Sequence, residues 1–287
     1  MNVPYNKSYI PNPMVQAWYD QYFNTQLADV DSFGLGIVAN NEWDIYIPTF
    51  GSLFFVEYQI KTLKKFFLRD CTIIIVDNND NLNPEISEQI KTHCWNENVA
   101  YIKMPHNHYQ EPQHFDPTMK LGCTLNWLFY NVIKHRQPTY FGFLDQDCML
   151  INNFAIKDYL NKKGMYGTVC VNEATYSWNL HVTTNWFKYS FVKDVPLDFR
   201  ASHKYSLDTG GSNFGVLYNK YNKEDYRLSH IGHRFFKEDV VTGIRPQHYE
   251  IIDNKFMHLV CSTHDQLAGE GQRKLDYFKG FIDSRLL

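Results

Sequence analysis

No two cysteines in this sequence stand at C-x-x-C spacing. The six, Cys71, Cys94, Cys123, Cys148, Cys170 and Cys261, are scattered, mostly inside apolar runs. That argues against a zinc ribbon or a redox dithiol and reads as small buried hydrophobes in a reducing compartment. Long apolar runs are missing too: the densest aliphatic stretch, Ile73 to Val76, falls far short of the roughly 20 residues that a spanning helix needs. The N-terminus has no basic region followed by an apolar core, so a soluble, cytoplasmic protein is expected. There is no surplus of positive charge: 28 Lys and Arg against 31 Asp and Glu give a formal charge of -3, with the signs interspersed. Nucleic acid is therefore not expected as a partner. The one glycine-rich hint, Gly34-Leu35-Gly36, lacks the third glycine and the preceding strand of a dinucleotide fingerprint and reads as a turn.

What is present fits a folded globular chain. Hydrophobic residues make up 44% and aromatics 16% of 287 residues, enough for a real core in one large domain or two smaller ones. Residues 1–43 stand outside any α/β rhythm. Pro4, Pro11 and Pro13 favour an extended arm, and Val15, Trp18, Tyr22 and Phe23 lie at helical spacing between Met14 and Leu27. An arm and a helix packed on the outside are expected there.

From Asp44 onward strands and helices alternate. Asp44 to Phe50 is a strand stopped by Pro48, and Ser52 opens a helix with Phe55, Ile60, Leu63 and Phe67 on one side. Cys71 to Val76 is a β-branched strand running into Asp77-Asn78-Asn79. A helix over Pro84 to Trp95, a strand over Val99 to Met104 and a helix over Thr118 to His135 follow. The alternation predicts a mostly parallel sheet with helices on both faces, an α/β class fold. Its central strand is Thr139 to Leu144, apolar without alternation and so buried on both faces, ending in Asp145-Gln146-Asp147. Ligands of open α/β sheets bind beyond the carboxyl ends of strands, and two carboxylates there suit a hard divalent cation.

A first strand ending in Ile-Pro-Thr-Phe, a second ending in Val-Asp-Asn-Asn, a helix containing Leu125-Asn126-Trp127 and a strand closing in Leu-Asp-Gln-Asp together resemble a GT-A glycosyltransferase, most similar to family 2. The resemblance is strongest over 44–154. It implies a Rossmann-like nucleotide-binding α/β/α sandwich, 44–287, with a nucleotide-sugar half at 44–154 and an acceptor half at 155–287. It implies nucleotide contacts at Pro48, Thr49, Asp77, Asn79, Asp145 and Gln146, and a divalent metal, Mn2+ or Mg2+, on Asp145 and Asp147.

Beyond Asp147 a short helix, Ile156 to Lys162, and a strand, Met165 to Val171, lead into an irregular aromatic stretch. Tyr176, Trp178, Trp186, Phe187 and Tyr189 offer stacking faces to a sugar acceptor, but aromatics at this density more often pack a core or a lid; the exception is Trp178, because Ser177 and Asn179 beside it are polar. Asp208 precedes Gly210-Gly211, which permit a tight turn and close approach of a ligand. It resembles the acid that serves inverting members of the family as base, although the family's Glu-Asp pair is absent there and Glu238-Asp239 competes. His258, in the strand-like run Lys255 to Val260, resembles a late histidine that completes the metal shell in some GT-A enzymes. His264, His106 and His108 rank behind it. A terminal helix, Leu267 to Leu286, carries Leu275, Phe278 and Ile282 on one face, with Lys274 and Lys279 elsewhere. It is expected to pack on the sheet or to touch a membrane peripherally.

These readings converge on transfer of a sugar from a nucleotide-sugar donor to a glycan or lipid-linked acceptor with inversion. The alternatives are a sugar-1-phosphate nucleotidyltransferase, whose glycine-rich loop with a following arginine is absent after Pro48-Thr49, and a non-catalytic carbohydrate-binding protein.

Overall fold

The computed structural model describes residues 13–36, 42–79, 83–105, 117–160, 164–223, 231–235, 248–259 and 271–287. Its scaffold is a three-layer α/β/α sandwich. The centre of the sheet is four parallel strands, β4 (Ala100–Lys103), β3 (Cys71–Asp77), β2 (Trp43–Thr49) and β5 (Tyr140–Leu144), in that spatial order. These strands are apolar because both faces are covered, and β2 is buried along all its length. Contrary to expectation, β2 runs through Pro48 to Thr49. Its pairing with β5 ends at Tyr46, which leaves one side of the strand free of a ladder where proline is tolerated.

On one face lie α1 (Pro13–Asn24) and α4 (Pro117–Leu128), which bring Tyr19, Tyr22, Leu125 and Trp127 against Tyr46, Ile74 and Phe143. On the other lie α2 (Leu53–Phe66) and α3 (Pro84–Asn96), packing Val56, Ile60, Ile90 and Cys94 against Ile45, Ile47, Ile73 and Ile75. The expected stretch from Thr118 to His135 is helical throughout but not uniform. A π turn over Phe129–Ile133 separates α4 from the short α5 (Lys134–Arg136), and Gln137 ends it in the left-handed region at φ 50°.

The expected arm with Pro4 and Pro11 lies outside the described residues, and the described part of the N-terminal segment, 13–36, is not merely an outer appendage. Tyr19 and Tyr22 are buried in the core, and β1 (Ser32–Phe33) extends the sheet antiparallel to β4. At the opposite edge two antiparallel strands, β8 (Ser177–Lys188) and β7 (Met165–Asn172), complete an order of β1-β4-β3-β2-β5-β8-β7. The stretch expected to be irregular after Val171 is thus the longest strand of the sheet, next to β5. Trp178, singled out for stacking on a ligand, is buried against Tyr218 with ring centroids 5.0 Å apart, and its polar neighbours Ser177 and Asn179 are buried with it. Trp186 and Phe187 are core residues as well, whereas Tyr176 stands exposed at the hairpin tip.

A second, smaller sheet follows the order β6 (Cys148–Leu150), β11 (Phe256–His258), β10 (His248–Ile252) and β9 (Ile231–Phe235), all antiparallel. Because β6 lies in 44–154 and pairs with β11, while β7 and β8 join the sheet of β5, the two expected halves interlock. Between β6 and β7 runs the short α6 (Lys157–Leu160), and after β8 the short α7 (Tyr189–Val192). The last helix, α8 (Gly271–Leu286), buries Phe278 and Ile282 against Phe55 and Tyr58 of α2 and Met257 of β11, so its apolar face is turned inward. Among the described residues no helix is long and apolar enough to cross a membrane. The cysteines Cys71, Cys94, Cys123, Cys148 and Cys170 are free thiols.

Candidate active site

At the carboxyl end of β5 the chain makes a tight turn, Asp145-Gln146-Asp147, into β6. One bond within the turn and three from distant elements fix it. Cys148 N–H donates to the Asp145 carbonyl at 3.0 Å, and Asp145 N–H donates to the Thr183 carbonyl of β8 at 3.2 Å. The buried Gln59 of α2 donates its amide to the same Asp145 carbonyl at 2.6 Å, and Leu259 N–H just past β11 donates to the Asp147 carbonyl at 3.0 Å. Gln146 turns toward β2, where its Oε1 accepts from Phe50 N–H at 2.8 Å and from the Thr49 hydroxyl at 3.4 Å. The D-x-D turn and the loop after the first strand are thus joined directly.

β11 lies alongside β6 with His258 opposite Cys148, so the imidazole arrives beside the two carboxylates. One ligand atom from each of Asp145, Asp147 and His258 lies within 4.8 Å of the others. His258 Nε2 is 3.4 Å from Asp147 Oδ1, and Nδ1 is 2.9 Å from Glu250 Oε2. Burial pushes the Asp145 carboxyl up and the neighbouring Asp147 charge adds to this, while His258 and His181 pull the other way; the result is about 6. Burial alone would lower the His258 imidazole, but the Asp147 and Glu250 carboxylates outweigh it and raise the ring to about 10. Two carboxylates and one imidazole crowded at this separation are a donor set that suits Mn2+ or Mg2+.

The nucleotide residues named from the sequence divide. Pro48 and Thr49 are buried at the end of β2, next to the Gln146 amide. Asp77 is fully buried at the end of β3, and its oxygens accept from Asn79 N–H at 2.9 Å, the Tyr101 hydroxyl at 2.9 Å and the Lys103 ammonium at 2.8 Å. Lys103 also donates to the Asn79 carbonyl and the Ser87 hydroxyl. The Asn79 amide reaches the Asn83 carbonyl at 2.9 Å, so this carboxylate organises the turn after β3.

On the far side of the turn, β8 bulges. Gly167 pairs with Asn185 and Val169 with Leu180, so residues 181–184 stand against Thr168 alone. A bulge of this kind re-aims side chains. Here it turns His181 toward the end of β5 and toward Asp208. His181 Nδ1 accepts from Thr183 N–H at 3.2 Å and lies 2.6 Å from the Thr183 hydroxyl, which puts the ring proton on Nε2, 3.7 Å from Asp208 Oδ2. Asp208 also accepts from Thr209 N–H at 2.6 Å, and its side chain is 53% exposed. His181, opposed by burial and assisted by Thr209, holds its carboxyl below the usual carboxylate range. The loop after Asp208 is clamped by Gly210 N–H to the Phe199 carbonyl at 2.6 Å and by the Asn179 amide to the Thr209 carbonyl at 2.9 Å. Gly210, at φ 89°, takes a left-handed conformation that side chains resist.

Gln59, Tyr101, Lys103, His181, Thr183 and Glu250 were not singled out from the sequence. One of them carried a readable signal: Ile252-Asp253-Asn254-Lys255-Phe256 is a hairpin sequence, with Asp253 and Asn254 at φ 50° and 54°, and it sets Glu250 opposite His258. Glu238, Asp239, His264, His106 and His108 lie outside the described residues.

No family model and no curated protein sequence matches the chain. Among solved structures it is similar to a mannosyltransferase from Pyrobaculum calidifontis in complex with GDP-Man and Mn2+. There the identity is 12% over 75% of this chain and 61% of that one, with a TM-score of 0.41. It is also similar to S. aureus TarS 1-349 in complex with UDP-GlcNAc, at 14% identity over 57% of this chain and 51% of that one, with a TM-score of 0.37. Core-mannan synthase A from Aspergillus fumigatus, in its Mn/GDP form, is 7% identical over 58% of this chain and 63% of that one, with a TM-score of 0.32. The chain spans less than two thirds of the length of each.

Proposed function

We propose that this chain is a metal-dependent glycosyltransferase that moves a sugar from a nucleotide-sugar donor to a hydroxyl of a glycan or lipid-linked acceptor. The observation that carries the reading is the meeting of Asp145, Asp147 and His258 within 4.8 Å at the carboxyl end of the parallel strands. Asp145, Asp147 and His258 would hold Mn2+ or Mg2+. When bound, such a cation offsets the negative charge that builds on a leaving diphosphate.

The chain's own groups supply the rest. Pro48, Thr49 and Gln146 form the floor for the nucleotide, and Asp77 with Asn79 shapes the turn beside it. Asp208 is the acceptor-side base: it takes the proton of the incoming hydroxyl as that oxygen bonds to the anomeric carbon and the sugar–diphosphate bond breaks, inverting the centre. His181, its proton on Nε2, keeps that carboxylate ionised.

The test is a thermal-shift screen of UDP and GDP with and without Mn2+, since a ligand of the native state raises apparent stability by mass action. A shift that needs Mn2+ and is lost in Asp147→Ala supports the reading. A nucleotide shift of equal size without metal, or one unchanged in Asp147→Ala, overturns it. Product analysis then separates sugar transfer from nucleotidyl transfer.

A further inference from the structure

Glu250 contributes nothing to the three-residue cluster directly, yet the small second sheet places it there in register. β6 continues from Asp147, β11 sets His258 beside β6, and β10 sets Glu250 directly opposite His258. Its side chain is only 13% exposed and its Oε2 lies 2.9 Å from His258 Nδ1, on the side of the ring away from Asp147. Imidazole Nε2 faces Asp147 Oδ1 at 3.4 Å. An imidazole can bind a cation through one nitrogen only if the other keeps the proton, and a carboxylate on Nδ1–H fixes both the tautomer and the ring plane.

We propose that Glu250 is a positioning residue of the metal centre, which acts through His258 by holding Nδ1–H so that the Nε2 lone pair is aimed at a divalent cation between Asp145 and Asp147. This rests on the reading of that cluster as a metal site. The hairpin turn at Asp253-Asn254 and the Glu250–His258 register are then part of the site's construction. The antiparallel second sheet serves to deliver a carboxylate–histidine pair to the end of β5.

Titration with Mn2+ alone, followed by the electron paramagnetic resonance of the free ion, tests it. The double-mutant cycle uses wild type, Glu250→Ala, His258→Ala and both together, with circular dichroism melts as the control for folding. Loss of an outer-shell partner weakens metal affinity by about 10- to 100-fold, so Glu250→Ala should do so in the presence of His258 and change nothing in the His258→Ala background. Glu250→Gln keeps an acceptor for Nδ1–H and should lose less than about tenfold. It completes the cycle if the alanine variant does not fold. Equal losses in both backgrounds, or no loss when His258 is present, overturn the relay while Mn2+ binding itself stands. Wild-type protein that takes up no Mn2+, or uptake unchanged in Asp147→Ala, removes the metal reading and the relay with it.

Discussion

Asp77 offers the sharpest quantitative test, because its surroundings predict a stability effect where the sequence suggested only a ligand contact. Asp77→Ala removes a fully buried carboxylate that accepts from Asn79 N–H, Tyr101 Oη and Lys103 Nζ, the last on a side chain 17% exposed. Hydrogen bonds to a charged group are worth about 1.5–3 kcal/mol each, and breaking a buried ion pair from one side costs about 3–5 kcal/mol. The two scales overlap, so a loss of about 4 kcal/mol is expected, read from the urea midpoint at unchanged slope. Most of it is the cost of depriving a largely buried ammonium of this carboxylate. Adding Lys103→Met to Asp77→Ala should therefore cost little more or restore part of the loss. Both single variants should also raise the donor KM, since Lys103 and Asp77 together hold the Asn79 backbone and the Ser87 hydroxyl that shape the turn. A loss below about 1 kcal/mol for Asp77→Ala, or strict additivity of the two variants, would refute the argument.

Three further outcomes follow from the site and the sheet. With the His258 ring at about 10, a cation must displace a proton at neutral pH, so Mn2+ affinity should rise about tenfold per pH unit from pH 7 to 9; calorimetry in buffers of different ionisation enthalpy would detect the released proton, and a flat profile would count against His258 as a ligand. Asp208→Asn should cut transfer by about 10² to 10⁴ with donor binding intact, whereas His181→Ala should move the acid limb of the rate profile to higher pH because the carboxyl loses the partner that depresses it; full activity in Asp208→Asn sinks that base assignment. Gly142→Ala in β5 should cost about 1–3 kcal/mol in unfolding experiments, since a Cβ there would overlap the Trp186 ring directly opposite on β8; a neutral result would mean that this cross-strand packing is looser than described.

The parallel centre of the sheet was legible because it is built from uninterrupted apolar runs, and Asp145 and Asp147 were legible because their meaning is local, two acids at the end of one such run. What escaped notice was non-local. β8 hides because Asn179, Thr183, Thr184 and Asn185 break its apolar character, and its bulge destroys any period of two. In the second sheet β11 falls within the strand-like run Lys255 to Val260, but β6 is too short for a periodic signal, and their pairing joins Cys148 to His258 across more than a hundred residues. Gln59 is a polar residue in a helix whose apolar side alone carries a periodic signal. Its buried amide reaches the Asp145 carbonyl only because α2 crosses above β6. In the aromatic stretch Trp178 alone misled, for the opposite reason: its polar neighbours suggested exposure, while both faces of its strand are covered.

These non-local bonds also explain how the two sides of the site are kept in step. The Asp145 amide is tied to the Thr183 carbonyl, and the Thr183 amide to the His181 ring that faces Asp208. The Asp147 carbonyl is tied to Leu259, one residue beyond His258. A displacement of the D-Q-D turn therefore pulls on the bulge of β8 and on β11 together, since the bonds from the turn to Thr183 and to Leu259 join main chain to main chain in or beside a paired strand. Side chains held only by rotamer preference would tolerate independent drift; here the carboxylates, the imidazole of His258 and the His181–Asp208 pair are fixed to one frame. Under the proposed transfer reaction such a frame would keep donor and acceptor aligned, where a misplacement of about 1 Å costs on the order of 10²-fold in rate. Gln59 closes that frame from the helical layer, where its amide is bonded at 2.6 Å to the carbonyl of the very residue whose N–H reaches β8.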